Sequence, residues 1–530
     1  MIRAAGSWAL LNARSGIWWD AAALALLACT ALVVLAMPVF PSQDGPVHLY
    51  YVDILRSLLT HSGPYTQHFE IKSFLTPYAL EYYSLLALEM AFSPELSEKL
   101  LVCCYIFAFG LGFRYLVESV AERRCPWSLA GIPFCMNALV YKGFLNYCLG
   151  VAVALFLCGF WIRGQGRFRP GRAAALLVCF VLMLLTHPVP VAVFVLFAGL
   201  HFVADLARAA AAGSGLWLAS LRARWWPLAM IALMAATAAL WVALFASQSQ
   251  HVPSGLGAVF RYGWIRTVDG RLLLWPVLPF TSPSYRIGPV LLVVTPGLAL
   301  MVSVWKQGGR AGCATIALIA TAAICFTSVC IAPESINGSH YFPDRFAVFW
   351  VVLLIAAAAA SRPPRQWSLA AGVMALCVSC AVLLLQWVNV SRIALEMRPL
   401  LEAPPAQVGS VGLVIGGKAS RGGDLVFEPF LWGGAHYFRR SGAILANAPW
   451  MDLPIVMLRP AHPNRWSYLN PYSAGLSLSR ALTAGGAPSD LSFVVRDGPS
   501  SAAAEALLSG PGWSPLTRTS GAFCIYAHHP

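Results

Sequence analysis

Ionisable residues that could take part in a reaction occur in a few short segments of this sequence. In the first of these, Ser42–Arg56, Asp44 precedes a Gly-Pro dipeptide and an amphipathic run that contains His48. If Asp44 begins a helix, His48 lies about one turn further along the same face. Such a pair could hold a metal, orient a phosphate or move a proton. The alternative is that Asp44 only caps the helix.

Two further candidate segments contain ionisable residues beside apolar ones. Glu70 and Lys72 alternate with apolar residues, which fits either a solvated loop or one wall of a polar pocket. His187 interrupts a long apolar stretch at the point where Pro188 and Pro190 end a helix. A histidine at this position either lines a cavity or lies at the membrane interface.

Basic and aromatic residues are mixed in two later segments. Residues 248–288 contain four arginines and a single acidic residue. This mixture suits a phosphate beside a lipid or sugar, and it also suits contact with lipid headgroups. In the other segment, Arg345 begins an apolar helix, where an arginine is costly unless it is paired or binds an anion. From these segments the predicted substrate-binding residues are Arg261, Arg286, His340, Tyr341 and Arg345.

The composition excludes most soluble classes of protein. Of 530 residues, 58% are hydrophobic and only 11% are charged, whereas a soluble globular chain has about 25% charged residues. The sequence therefore predicts a polytopic membrane protein of about eleven spans. The apolar runs are 17–40, 97–120, 128–141, 144–162, 173–186, 189–207, 226–247, 289–305, 311–332, 345–361 and 367–388.

The distribution of charge predicts the orientation of these spans. With a cytoplasmic N-terminus, each loop expected inside carries a net positive charge, as membrane proteins prefer. The net charge of +14 is therefore assigned to membrane topology and not to a nucleic-acid partner. Most of the 14 cysteines lie in apolar runs without metal-binding spacing, so we interpret them as small buried hydrophobes.

We predict a mainly α fold in two parts. Residues 1–390 form the membrane bundle, with 41–96 as its first extracytoplasmic loop. Residues 391–530 form a small extracytoplasmic α/β domain, because 411–416, 491–495 and 523–526 are short apolar runs typical of strands.

A set of short segments resembles the C-type (GT-C) superfamily of integral membrane glycosyltransferases, and most closely some poorly characterised bacterial members. The resemblance spans most of residues 1–390 and depends on the order and sidedness of the segments. They are Asp44-Gly-Pro-Val-His48, Ser93–Leu100, Gly143–Gly150, Thr186-His-Pro188 and Asp344-Arg-Phe346.

The resemblance implies transfer of a sugar from a polyprenyl-phosphate carrier to an acceptor at the outer face of a bacterial inner membrane. The acceptor would be an envelope glycan, lipid or protein. An acidic residue in the first outer loop serves such enzymes as base or metal ligand, and Asp44 matches that position. The loop has neither Asp-x-Asp nor an adjacent Asp-Glu pair, so a divalent metal cofactor stays open.

Two other functions fit the sequence. One is a transporter or flippase of a lipid-linked envelope metabolite, although the internal repeats common in such proteins are not evident. The other is a non-catalytic envelope assembly protein whose aromatic-rich C-terminal part binds a partner.

Overall fold

The computed structural model describes most of the chain. The described residues are 2–164, 170–211, 225–248, 283–306, 312–332, 335–336, 339–416, 430–447, 456–458, 477–478, 491–497, 508, 513–518 and 523–528.

The structure is mainly helical, as predicted. In chain order the helices are α1 (Ile2–Ala36), α2 (Gly45–Thr60), α3 (Ala79–Leu88), α4 (Pro94–Ala121), α5 (Ala138–Tyr141), α6 (Leu145–Arg163), α7 (Pro170–Leu184), α8 (Pro188–Ala211), α9 (Trp225–Gln248), α10 (Pro283–Lys306), α11 (Cys313–Ile331), α12 (Asp344–Ala360), α13 (Arg365–Glu402) and α14 (Ala435–Ser441).

Six helices in the described part of the chain are long and apolar enough to cross a membrane, so the protein is a multi-pass membrane protein. These spans are Ile17–Ala36, Pro94–Ala121, Leu145–Arg163, Pro188–Ala211, Cys313–Ile331 and Gln366–Glu402. Shorter apolar helices cover Pro170–Leu184, Trp225–Trp241 and Val293–Ser303. The predicted count of about eleven spans is therefore not confirmed.

The prediction of a helical span at residues 128–141 is wrong. This segment contains 3-10 turns at Pro126–Leu129 and Ile132–Phe134, and only its last four residues form an α-helix. A proline in each turn lacks the N–H group that a continuous helix would need. Residues 125–143 are all buried. Irregular backbone is tolerated there because its polar groups bond within the protein, as when Leu139 N donates to Asn137 Oδ1 at 2.9 Å.

The chain divides into two compact units. The first unit comprises Met1–Leu32, Cys103–Leu139 and Leu145–Leu384, and the second comprises Val33–Val102, Val140–Phe144 and Leu385–Pro530. The division predicted at residue 390 stays a prediction.

The first unit is a helical bundle. Helix α11 packs along α12 and α8, and the four consecutive alanines Ala356–Ala359 of α12 are fully buried, which permits close helix approach. Near the beginning of the chain, Asp20 of α1 forms ion pairs with Arg114 at 2.6 Å and Arg124 at 2.9 Å. These pairs connect α1 with the C-terminal part of α4 and with the turn that follows it.

The strands are β1 (Phe69–Ile71), β2 (Ser335–Ile336), β3 (Ser339–His340), β4 (Val411–Gly416), β5 (Ile444–Leu445), β6 (Val456–Leu458), β7 (Phe493–Asp497), β8 (Trp513–Arg518) and β9 (Phe523–His528). The second unit contains a mixed sheet of five strands in the order β5-β4-β7-β9-β8. Strand β4 is parallel to β5 and β7, whereas β9 is antiparallel to β7 and β8. A separate antiparallel pair joins β1 to β6, and the first unit contains the short pair β2-β3. All three predicted strand segments are found as strands.

Candidate active site

The backbone before α2 is held in place by a segment about one hundred residues further along the chain. Gln43 N donates to the carbonyl of Tyr141 at 2.8 Å, and Asp44 N donates to the carbonyl of Lys142 at 3.2 Å. The ring of Phe40 stacks on Tyr141 with a centroid distance of 5.6 Å. Asp44 therefore lies on a fixed backbone.

Two glycines allow the chain to pack this closely around Asp44. Gly143 has φ = +86°, and a Cβ atom there would lie 2.8 Å from Gly45 N and 3.0 Å from Asp44 Cβ. A Cβ atom on Gly45 would lie 2.0 Å from both Glu98 Oε1 and Ser42 Oγ. A side chain at position 143 would therefore press on the backbone at Asp44, and one at position 45 would displace the side chains of Glu98 and Ser42.

The side chain of Asp44 does not cap α2. The residue occupies the N-cap position, but its carboxylate makes no capping hydrogen bond, while its backbone carbonyl accepts from Val47 N and His48 N, each at 3.1 Å. Gln43 Nε2 donates to Asp44 Oδ1 at 3.3 Å. The side chain is thus available for a role other than stabilising the helix end.

Burial gives Asp44 the acidity expected of a general base. The residue is 3% exposed. This burial raises its pKa from 3.8 to about 7, although the hydrogen bond from Gln43 and the positive charge of Lys142 act in the opposite direction. A carboxylate with a pKa near the working pH can take up and release a proton efficiently.

The ring of His48 lies within hydrogen-bond distance of a tyrosine of the same unit. Its Nδ1 lies 2.8 Å from the hydroxyl of Tyr82 on α3, and the two rings meet edge to face. Burial lowers the pKa of His48 to about 4, so the imidazole is neutral near pH 7. His48 is therefore a neutral hydrogen-bonding group within the turn that follows Asp44.

A network of arginines and acids anchors α2 at its far end. Arg439 of α14 lies 3.8 Å from Asp53 Oδ2 and also forms an ion pair with Glu95. Arg56 bonds Asp53 and lies 3.3 Å from Glu89 Oε2. These contacts connect α2 to the start of α4 and to the C-terminal part of the chain, which makes the helix that follows Asp44 rigid.

The structure brings two other predicted residues together in the first unit. The chain breaks between α7 and α8 at His187, as the prolines predicted, and Val189 N donates to His187 Nδ1 at 3.1 Å. Tyr147 contacts both His187 and Arg345. Its ring lies edge-on to the His187 ring with a centroid distance of 5.4 Å, and its hydroxyl donates to the carbonyl of Arg345. Arg345 is 7% exposed. Burial lowers the pKa of His187, and the positive charge of Arg345 lowers it further.

The remaining predicted residues are spread over the two units. Glu70 lies on β1 opposite Met457, Lys72 follows that strand, and both are half-buried. Tyr341 is half-buried with φ = +58°. Arg286 lies on α10 and His340 on β3, but neither side chain is described, and Arg261 falls outside the described residues.

The described residues do not provide a protein-built metal site. No group of three or more His, Cys, Asp and Glu residues with the spacing to hold a metal ion occurs among them.

Sequence reasoning missed three residues that act on the candidates. Lys142 is 2% exposed, and its positive charge lowers the pKa of Asp44. Gln43 forms a hydrogen bond with the Asp44 carboxylate, and Tyr82 forms one with His48. Lys142 left one signal in the sequence: it is a basic residue at the expected outer end of an apolar run, against the usual positive-inside bias.

Comparison with known proteins confirms the class of fold. No protein-family model matches the sequence, and no curated protein sequence matches it either. The chain has the fold of the GT-C glycosyltransferases, as the short segments predicted.

Two solved structures of ArnT from Cupriavidus metallidurans are among those similar to this chain. The structure bound to undecaprenyl phosphate matches with a TM-score of 0.51 and 10% sequence identity, over 96% of this chain and 97% of ArnT. The apo structure matches with a TM-score of 0.50 and 11% identity, over 99% of this chain and 98% of ArnT.

Proposed function

We propose that the protein is a membrane glycosyltransferase that moves a sugar from a polyprenyl-phosphate-linked donor to a cell-envelope acceptor at the outer face of the membrane. The observation that carries this proposal is Asp44. In a chain with a GT-C fold, a buried carboxyl group with a pKa of about 7 lies on a rigid backbone and does not cap its helix.

In the proposed reaction Asp44 is the general base. Its carboxylate takes the proton of the acceptor hydroxyl while the acceptor oxygen forms a bond to the anomeric carbon of the donor. The bond between that carbon and the phosphate oxygen breaks, and its electron pair leaves with the polyprenyl phosphate. A direct displacement of this kind inverts the configuration at the anomeric carbon.

The leaving phosphate gains negative charge, which arginine and histidine N–H groups can stabilise. Arg345 is the strongest candidate for this role, because it is buried and its charge is close to His187. Arg261 and Arg286 keep the phosphate-binding role predicted for them. That ArnT has been crystallised with undecaprenyl phosphate supports a donor of this chemical class.

The direct test is turnover of a donor panel. The purified full-length protein would be incubated with radiolabelled polyprenyl-phosphate sugars and an extract of envelope lipids and glycans, with and without a chelator. We expect label to leave one donor, and loss of turnover with the chelator would establish a metal requirement. An intact donor panel, together with movement of label across a vesicle bilayer, would instead establish a flippase.

A variant of Arg345 tests phosphate binding separately. Arg345→Gln should raise the KM for the donor at least about tenfold, because a charge-assisted contact to phosphate is lost. Arg398→Gln is the matched control, since Arg398 is exposed and forms its ion pair with Glu402, one turn further along the same helix. An unchanged KM for Arg345→Gln would remove this residue from the donor site.

A further inference from the structure

Two buried side chains form a close pair next to the candidate base. The Nδ1 atom of His48 on α2 lies 2.8 Å from the hydroxyl oxygen of Tyr82 on α3, and the two ring centroids are 5.6 Å apart. His48 is 7% exposed and Tyr82 is 3% exposed. His48 follows Asp44 by one helical turn, and its backbone N–H donates to the carbonyl of Asp44 at 3.1 Å. The pair is therefore a fixed part of the surroundings of Asp44.

The Tyr82 hydroxyl is the donor of the hydrogen bond between the two side chains. Burial raises the pKa of Tyr82 well above its usual range, and the nearby acids Glu81 and Asp44 raise it further, so the hydroxyl keeps its proton. Among the described residues, the one hydrogen bond of this hydroxyl is the bond to His48. If the imidazole donated instead, the buried O–H group would have no acceptor there, which is unfavourable.

The direction of this hydrogen bond determines which nitrogen of His48 carries the proton. Burial lowers the pKa of His48 to about 4, so the ring is neutral near pH 7. A neutral imidazole has one nitrogen that donates and one that accepts. Because Nδ1 accepts from Tyr82, the ring proton lies on Nε2. The single lone pair with which a neutral histidine could take up a proton is thus already engaged.

A histidine in this state can donate a hydrogen bond but cannot act as a general base. The sequence alone left open which member of the Asp44 and His48 pair moves a proton, because histidine is the side chain that most often does so. Asp44 has the opposite character, since an ionised carboxylate can only accept. The structure therefore separates the roles of two residues that lie one helical turn apart.

The helix that carries Tyr82 begins with an unusual backbone. Tyr78 precedes α3 with φ = +75°, in the left-handed region that a bulky residue rarely adopts. Such a conformation persists only where the surrounding structure determines it. Helix α3 packs on α2, and Glu81, next to Tyr82, is fully buried. The Tyr82 hydroxyl therefore has a defined position beside α2.

We propose that Tyr82 is a positioning residue for sugar transfer, because its hydroxyl holds His48 as an N–H donor and prevents it from competing with Asp44 as the base. The inference rests on the proposed function, since it assigns a role within that reaction. The proton of the acceptor hydroxyl passes to the Asp44 carboxylate, and His48 neither gains nor loses a proton. Tyr82 acts through His48 and needs no contact with the substrate.

The first test determines the protonated nitrogen of His48 and requires no activity. The full-length protein would be labelled with nitrogen-15 in its histidines, and the ring nitrogens would be recorded by NMR at pH 6 and pH 8. The His48 signals are those absent from His48→Gln. We expect a protonated Nε2 and an unprotonated Nδ1 at both pH values. A proton on Nδ1 alone, or a doubly protonated ring at pH 6, would overturn the proposal.

Two neighbouring tyrosines provide matched variants for the same spectrum. Tyr82→Phe keeps the ring and removes the bond to His48, so signals of both imidazole tautomers should appear. Tyr83→Phe should leave the His48 signals unchanged, because the Tyr83 hydroxyl donates to the carbonyl of Phe74. An unchanged single tautomer in Tyr82→Phe would show that Tyr82 does not set it. If Tyr82→Phe does not fold, the wild-type spectrum decides the matter.

The second test compares turnover by His48→Gln and Tyr82→Phe. Glutamine keeps an N–H donor but has no nitrogen that takes up a proton, so His48→Gln should lower kcat by less than about tenfold. Loss of a general base would lower it roughly 10²–10⁴-fold, and a fall of that size would show that His48 is the base. Tyr82→Phe should lower kcat at least about twofold, since only part of the molecules then carries the proton on Nε2; an unchanged kcat would remove Tyr82 from the reaction.

The two tests distinguish failure of this inference from failure of the proposed function. If wild type transfers no sugar from any donor, the proposed function fails and the role of Tyr82 in transfer fails with it, whereas the spectrum still shows whether Tyr82 sets the state of His48. If wild type transfers sugar and the His48 ring carries its proton on Nδ1, the proposed function stands and this inference alone is wrong.

Discussion

Replacing Asp44 by asparagine is expected to stabilise the folded protein at neutral and alkaline pH. Burial raises the pKa of Asp44 from 3.8 to about 7. Between about pH 4 and pH 7 the folded protein therefore binds a proton that the unfolded chain has lost, so the stability of the wild type falls as the pH rises. Above about pH 7 the loss of stability is constant, and a pKa shift of this size corresponds to roughly 4 kcal/mol of stability at most.

The assay is thermal unfolding of wild type and Asp44→Asn in the same detergent at pH 5 and pH 8. The stability advantage of the variant should grow by roughly 2–3 kcal/mol between these pH values, which is a shift of a few degrees. Other buried acids, such as Glu89, are present in both proteins and cancel in the comparison. Glu402→Gln is the control, because that carboxylate is 60% exposed and its replacement should give no such divergence.

A small stability advantage of Asp44→Asn over the wild type that does not change with pH would refute the reasoning. Asparagine and aspartate are about equally good N-caps, so a capping residue would tolerate the substitution at every pH. The same result would show that the Asp44 carboxyl is hydrated in the folded protein, and its assignment as a base tuned by burial would then fail.

Three further predictions follow from the same contacts. Gly143→Ala should destabilise the protein by about 1–3 kcal/mol, because a side chain at positive φ is strained and its Cβ would meet the backbone nitrogen after Asp44 at 2.8 Å. Gly199→Ala, with open space around it, should be neutral or stabilising in the same unfolding assay, and equal behaviour of the two would contradict this. Arg439→Gln should lower stability by about 3–5 kcal/mol, because Glu95 loses its ion pair with Arg439 while Asp53 keeps the one with Arg56. A loss no larger than that of the exposed Arg398→Gln would show that the ion pairs of Arg439 are unimportant. The kcat/KM of sugar transfer should rise about tenfold per pH unit toward pH 7 and then level off as Asp44 ionises; a plateau that extends down to pH 5 would exclude this pKa.

Much of the helical framework could be predicted from hydropathy and proline positions. The breaks at Pro94 and at Thr186-His-Pro188 are local effects that can be read from the sequence. The segment 128–141 shows the limit of this method, because an apolar run without charges looks the same whether it is a helix or a buried set of turns. Only Pro133 within the segment and Pro126 just before it hinted at the difference.

The candidate site could be found only in part. Asp44 was identified because it begins the first large loop and matches the resemblance, but its surroundings depend on contacts between distant segments. Lys142 and Gly143 lie about one hundred residues from Asp44, and Arg439 lies nearly four hundred residues from Asp53, with which it pairs. Local sequence patterns carry no information about pairings of this kind, so the burial that changes the acidity of Asp44 could not be anticipated.

The most direct test of the central proposal is the rate of sugar transfer by purified Asp44→Asn with the donor that wild type turns over. Loss of a general base predicts a fall in kcat of roughly 10²–10⁴-fold, with donor binding retained and with Glu402→Gln within about twofold of wild type. If folded Asp44→Asn transferred sugar at the wild-type rate, Asp44 would not be the base.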